Sequence, residues 1–279
     1  MVRRRIIEIP KSRLAVWSNR LALFALIAGI LSTIVVRADL LEIVPAMATV
    51  AGALALAGAA IILSIGAMVV IWKDGLDGIG AAVAGMFIGL VVLAYPGYLA
   101  TKAYRLPAIN DITTDPADPP RLEALARVRP RQGNPAAYPG AEVAAKQAAA
   151  YPELEPLVLP APPAAVYETA RAIVIKRGWR IIEERQPIPR RRDGHIEAVA
   201  RTPIMGFRDD IVLRVRPDGE GSRVDMRSAS RYGRHDLGTN AARVASLLEE
   251  LEMAVDALPP SATSEPPPQR ETRPPRAKR

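Results

Sequence analysis

The chain has 279 residues, 49% of them hydrophobic but only 5% aromatic, and a formal net charge of +8. It contains no cysteine, which excludes disulfides, thiolate nucleophiles and cysteine-based zinc sites. Its two histidines, His195 and His235, lack the His-x-x-x-His spacing that holds zinc on a helix, so neither a metal nor a cofactor is expected.

A basic N-terminus over residues 1–20 sets Arg3, Arg4, Arg5, Lys11, Arg13 and Arg20 against one acid, Glu8. Three uncharged runs follow, Leu21 to Val36, Ile43 to Trp72 and Ile79 to Thr101. Each is read as a membrane span, because a helix needs about 20 mostly apolar residues to cross a bilayer. Leu14, Val16 and Trp17 extend the apolar face of the short first run. A cleaved signal peptide fits poorly: the triplet "AMA" at Ala46 to Ala48 lies beyond Arg37, Asp39 and Glu42, whereas cleavage closely follows the apolar run.

Residues 21–101 therefore form a three-helix anchor in the lipid bilayer. The basic flank predicts a cytoplasmic N-terminus. Three crossings then predict a multi-pass protein of the bacterial inner membrane with its C-terminal domain in the periplasm. Trp17 and Trp72 are expected at the inner interface and Tyr95, Tyr98 and Tyr104 at the outer one. In the third span, Gly85, Gly89 and Ala81 share a face that lets another helix approach closely, either the second span or a second copy. No charged residue lies within a span, which reads as anchoring and not as a transport pathway.

Residues 102–163 are rich in proline and alanine and read as a strap. Asp111, Asp115 and Asp118 invite comparison with a calcium loop, but the glycine and closing glutamate of that motif are missing, and turn chemistry accounts for them. An α+β domain follows over residues 164–258. Val166, Ala170, Ile173 and Val174 recur at helical spacing before Gly178. Strand-like runs then cover Trp179 to Arg185, His195 to Thr202, Asp210 to Arg216 and Arg223 to Ala229, with "PDGEGS" as a hairpin loop. A last helix, capped near Asp236 or Thr239, carries the stripe Val244, Leu247, Leu248, Leu251, Val255 and Leu258. This order predicts a four-stranded antiparallel sheet with helices packed on one face.

Alternation turns Ile196, Ala198, Ala200, Ile211, Leu213, Val215, Val224 and Met226 toward the helices. Arg201, Arg214, Arg216, Arg223 and Arg227 turn to the other face with Glu197 and Asp225. That face is either solvated and laced with ion pairs or an anion platform, since guanidinium forks match phosphate and carboxylate. The corner "SRYGRHDLGTN" adds Arg231, Arg234 and His235 before a helix start, where free N–H groups attract anions; turn and cap residues are the simpler account of it. Ser228, Ser230, His235 and Asp236 supply triad chemistry by type but crowd one loop, so no catalytic residue is assigned. The pair Asp209 and Asp210 points to opposite faces if the strand already runs there.

The segments "NDITTDPADPP", "AAYPG", "EAVARTPIMGFRDDIVLRV" and "RSASRYGRHDLGTNAARV" resemble, in order, those of the domain-of-unknown-function family numbered 1499, from about Asn110 to Leu251. The resemblance implies a bacterial domain often found behind membrane helices and brings no catalytic residues with it. Residues 259–279 form a basic proline-rich tail that cannot bury a core and is expected to be disordered. Together these features predict a cell-envelope binding or scaffold module, not an enzyme. Its expected partners are anionic lipid headgroups, envelope glycans or another membrane protein, and not nucleic acid. The alternative is a membrane-tethered hydrolase, which would require a deep pocket holding His235 beside Ser228 or Ser230.

Overall fold

The computed structural model describes residues 9–40, 43–188 and 193–259. The basic residues at 1–8 and the tail from 260 onward lie outside the described residues. The chain divides into two compact units, one of residues 1–108 with 201–207 and one of 109–200 with 208–279.

The first unit holds three long helices, α1 (Arg13–Arg37), α2 (Ile43–Asp74) and α3 (Ile79–Arg105). The shortest has 25 residues, which at about 1.5 Å per residue exceeds a hydrocarbon core of about 30 Å. Long uncharged apolar runs within them, with Ala and Gly at the contacts, explain both their length and their packing. Ala15, Ala67 and Ala82 form the buried seam, while large side chains such as Phe24, Ile62 and Phe87 face outward, as expected when the surrounding solvent is lipid. Ser18 and Ser64 are buried and donate to their own helix at Ala15 O and Ala60 O. Arg20 lies over the Trp17 ring and Lys102 over Tyr98, which suits side chains at a membrane–water boundary.

Gly85 and Gly89 both work inside this bundle. A Cβ at Gly85 would lie 2.8 Å from the carbonyl carbon of Ser18 in α1, and one at Gly89 would lie 3.0 Å from Ala57 O in α2. The small-residue face is therefore an intramolecular packing surface. Near the α1 start, Ser12 accepts from Ala15 N–H, and the extended chain before it bonds the α2–α3 connection through Ser12 N to Asp77 O at 2.9 Å.

The second unit is built from β1 (Asp111–Thr113), α4 (Ala124–Val128), α5 (Ala141–Ala150), β2 (Leu157–Leu159), α6 (Pro163–Lys176), β3 (Arg180–Arg185), β4 (Gly194–Arg201), β5 (Arg208–Asp218), β6 (Gly221–Ser230) and α7 (Thr239–Asp256). Its sheet is antiparallel with order β1-β6-β5-β4-β3, and β2 also pairs with β6. It has six strands where the alternation pattern indicates four. The two additions, β1 and β2, are three residues each and come from the proline- and alanine-rich segment, which is thus part of the sheet and not a strap beside it. Strands that short carry no readable alternation. The β5–β6 hairpin is also tighter than the "PDGEGS" loop suggests, because pairing continues to Asp218↔Gly221. Gly219, at φ +58°, takes the left-handed position of that turn.

The main core joins the sheet to α6 and α7. Ile196, Ala198, Ala200, Ile211, Leu213, Val215, Val224 and Met226 meet Val166, Ala170, Ile173 and Val174 of α6 and Val244, Leu247, Leu248, Leu251 and Val255 of α7. A smaller cluster lies on the opposite face, where Leu122 and Leu125 cover Val199, Val212 and Ala229. That second cluster fixes the segment around α4 over the face that carries the arginines.

Two outcomes test these packings. Leu251→Ala should cost about 2 to 5 kcal/mol in chemical denaturation of the detergent-solubilised protein; a loss under about half a kcal/mol would mean the side chain is not in the core. Gly85→Val should lower the melting temperature of the helical bundle, whereas Gly58→Ala, with nothing within 4 Å of its added Cβ, should leave it unchanged or raise it slightly.

Candidate functional site

The outward-turned arginines of β5 and β6 are not bare. β1 and the chain between it and α4 cross this face and bring Asp111, Asp115 and Asp118 onto it. Arg227 is 2% exposed and binds Asp111 through two fork nitrogens, Nε to Oδ1 at 2.9 Å and Nη2 to Oδ2 at 2.7 Å. It also donates to the carbonyls of Pro120 and Ala136 and lies 5.6 Å from the Tyr138 ring centroid. Each of the three guanidinium nitrogens thus donates to an acceptor of β1 or the covering segment. Burial pushes the Tyr138 hydroxyl up to about 12, the charge of Asp111 adding to the effect.

Toward the β5–β6 turn the same pattern opens to solvent. Asp225 is fully buried and receives Arg214 Nη2 at 3.0 Å, Arg216 Nη2 at 2.7 Å and Arg223 Nε at 3.0 Å. Asp115 lies 2.9 Å from Arg223 Nη2 and 3.5 Å from Arg216 Nη2. Burial pushes the Asp115 carboxyl up, but the Asp118 N–H and the guanidiniums of Arg223, Arg214 and Arg216 outweigh it and hold it below the ordinary carboxylate range. Asp118 completes the set, with Oδ2 3.0 Å from Arg214 Nη1 and 3.1 Å from Arg216 Nη1. A cleft of about 460 Å³ opens among Asp115, Asp118, Arg216, Asp218 and Arg223.

Of the two readings of this basic face, the ion-paired one is what the structure shows, and the expectation of a fully solvated face is corrected. The face is covered by the segment that holds β1 and α4, and its arginines are paired. The three aspartates read from sequence as turn residues face guanidiniums, which also explains their spacing. Arg201 belongs to the first unit, where Nη2 lies 2.6 Å from Asp39 Oδ2 and Nη1 donates to Arg37 O.

The corner after β6 is a second polar network. Asp209 and Asp210 do point to opposite faces of β5. Asp209 Oδ2 lies 2.6 Å from Arg243 Nη2 on the helix side. Asp210 binds Arg129 Nε at 2.6 Å and Arg231 Nε at 2.8 Å on the other. Ser228 Oγ donates to Asn240 Oδ1 at 2.7 Å and accepts from Arg243 Nη1, while Asn240 Nδ2 donates to Ser230 Oγ and to Asn110 O. Asp236 supplies the start of α7, accepting from Gly238 N–H and Asn240 N–H at 2.9 Å each. His235 Nδ1 accepts from Leu237 N–H.

A loop at residues 129–135 docks on this corner, and Asn134 donates to the carbonyls of Arg231, Ser230 and Gly233. The docking is so close that a Cβ at Gly133 would lie 2.8 Å from Arg231 O. Arg231 is thereby buried and Arg234 remains exposed. The structure brings Arg214 and Arg216 together, sets Arg227 apart in its own buried pair, and leaves Arg231, Arg234 and His235 in the corner.

Several residues of these networks were missed from sequence: Arg129, Arg243, Asn110, Asn134 and Asn240. For Arg243 a signal existed, since it stands four residues before Leu247 on the buried stripe, where a charge demands a partner. The others, Asn240 apart, come from loops without periodicity.

On β4, Glu197 is fully buried and binds the start of α4, accepting from Glu123 N–H at 2.7 Å, Ala124 N–H at 3.1 Å and Leu125 N–H at 2.7 Å, with His195 Nε2 at 3.0 Å. Burial pushes its carboxyl up, but His195 and these three N–H groups outweigh that and hold it below the ordinary range. A carboxylate lowered on folding stabilises the fold above its unfolded value of about 4.3 and loses that contribution as pH falls further. The melting temperature should accordingly drop as pH is lowered through about 4. Glu197→Gln should cost about 1 to 3 kcal/mol at neutral pH and flatten the acid limb of the curve; an unchanged acid limb would mean Glu197 does not carry it.

The family profile described as a protein of unknown function, DUF1499, matches residues 111–251. No curated protein matches the chain. Among solved structures, TTHA0849 from Thermus thermophilus is similar at 17% identity, covering 37% of this chain and 94% of that one with a TM-score of 0.22. Ara h 8.0201 is similar at 11% identity, covering 37% and 96% with a TM-score of 0.24. The profile match runs from the first residue of β1 through the buried Leu251 of α7, half of the chain, and includes both arginine networks: the chain belongs to the DUF1499 family, here behind three helices long and apolar enough to span a membrane.

Proposed function

We propose that this chain is a membrane-anchored module of a bacterial cell envelope, held in the inner membrane by its three helices, with the DUF1499 unit in the periplasm. There it binds or scaffolds an anionic partner and performs no catalysis. The anchor reading is supported by the three runs Leu21 to Val36, Ile43 to Trp72 and Ile79 to Thr101, which carry no charged side chain, since intramembrane charged groups mark transport pathways and proton relays. The orientation is supported by the basic N-terminal flank.

The observation that carries binding over hydrolysis is the commitment of the hydroxyls and the imidazole to separate partners. Ser228 Oγ is engaged by Asn240 and Arg243, whereas His235 Nδ1 is engaged by Leu237 N–H. A nucleophile must instead meet its base within hydrogen-bond reach. Among the arginines of this sheet face and the corner, those that reach solvent include Arg216 and Arg223 at the end of the sheet, whose side chains are 28% and 35% exposed, and Arg234 in the corner. Guanidiniums at a surface recognise carboxylates and phosphates.

Reporter fusions test the location. A periplasm-active reporter joined after Leu258 should be active and a cytoplasm-active one inactive; the reverse pattern would overturn the periplasmic placement.

A further inference from the structure

We propose that the carboxylate of Asp118 is an exchangeable, chain-borne occupant of a two-arginine oxyanion site at the mouth of the cleft. This rests on the anion-binding reading above and names the site that performs it. Three guanidiniums, Arg214, Arg216 and Arg223, converge on Asp225 and Asp115. Two carboxylates leave one positive charge, and the third carboxylate, from Asp118, neutralises it. The three carboxylates differ in how firmly they are held. Asp225 is fully buried and contacted by three arginines; Asp115 is 12% exposed; Asp118 is 61% exposed and bridges Arg214 Nη1 and Arg216 Nη1 through one oxygen.

The Asp118 backbone is pinned independently of its side chain. Its N–H donates to Asp115 Oδ1 at 3.0 Å, and its carbonyl accepts from Arg214 Nη2 at 2.7 Å. Rotation of one side chain therefore vacates the two Nη1 donors without moving the loop. Asp225 continues to hold both arginines in place, so the vacated position is preorganised. Two convergent guanidinium donors suit the oxygen of a phosphate or carboxylate, and the adjacent cleft of about 460 Å³ has room for the rest of a small ligand or headgroup. Asp218 at the rim is exposed and pairs with none of the three arginines, so solvent screens its charge.

If Asp118 competes with an external oxyanion, its removal strengthens binding, whereas a purely structural ion pair gives no such gain. Binding of inorganic phosphate, and separately of short-chain phosphatidylglycerol, is to be measured by calorimetry on the full chain in a neutral detergent at low salt. Asp118→Ala should bind about two- to fivefold more tightly than the wild type, the factor an exposed ion pair is worth. Adding Arg216→Gln should abolish the gain, while adding Arg121→Gln, which removes the same charge at an exposed position, should retain it. Phosphate should also raise the melting temperature of Asp118→Ala more than that of the wild type, which separates a vacated site from a damaged fold.

A gain with phosphatidylglycerol alone identifies a lipid headgroup, and a gain with phosphate a free oxyanion. Equal affinity of wild type and Asp118→Ala overturns the site while leaving the anion-binding reading in place. Binding of neither probe by any variant overturns both.

Discussion

The second unit depends on one constraint: a guanidinium taken out of water must find a carboxylate and carbonyls in fixed positions. Arg227 meets it through Asp111, Pro120 and Ala136, and Arg129 and Arg231 meet it through Asp210. The acceptors for Arg227 lie in the segment from β1 to α5, so the sheet cannot bury this arginine unless that segment closes over it. Buried ion pairs add little net stability over apolar packing, but loss of one partner is costly. Their effect here is one of register. Asp111 pairs with Arg227 while its backbone pairs with Ala229, and a one-residue slip of β1 would turn that carboxylate to the helix face.

Both covers of the sheet follow from this. On one side the cover is apolar and regular, because α6 and α7 can present stripes of Val, Leu and Ile to Ile211, Leu213 and Met226. On the other it is irregular, because arginines on alternate positions need acceptors at angles that a helix face does not provide. A loop with turn-forming Asp, Pro and Asn residues supplies carbonyls and carboxylates in those directions. Glu197 illustrates the exchange: a buried strand carboxylate satisfies three N–H groups at the start of a five-residue helix, those of its N-cap Glu123 and of Ala124 and Leu125, a helix that has no side-chain cap of its own. The first unit solves the opposite problem. Its long uncharged runs pack through Ala15, Ala67, Ala82, Gly85 and Gly89 and turn their large side chains outward, as suits helices apolar enough to span a membrane.

This contrast explains what could be read from sequence. The three long apolar helices, α6, α7, the four long strands and the inward faces of β4, β5 and β6 follow from a period of 3.6 or 2 or from uninterrupted apolar length, and these patterns depend only on local geometry. A cap for α7 near Asp236 or Thr239 was also legible, Asp236 being the one whose carboxylate accepts from the N–H groups at the helix start, as was the opposite facing of Asp209 and Asp210. What was not legible rests on pairing across long sequence separations. Asp111 finds Arg227 and Asp210 finds Arg129 only after the fold closes. Three-residue strands β1 and β2 acquire their extended form from β6, and no local pattern announces it.

Burial of the arginines changes steadily along the sheet, and the change bears on where a partner could be recognised. Arg227 and Arg231 are closed off by the covering segment and the docked loop at residues 129–135. Arg214 is 16% exposed, Arg216 28% and Arg223 35% toward the β5–β6 turn. At the closed end each carboxylate is itself buried, so leaving a guanidinium would strand a charge in a low dielectric. At the open end Asp118 would re-enter water, where its charge is solvated at little cost. In the reading proposed above, the same chemistry is fixed at one end and exchangeable at the other, because an oxyanion can compete only where the chain's own carboxylate has somewhere favourable to go.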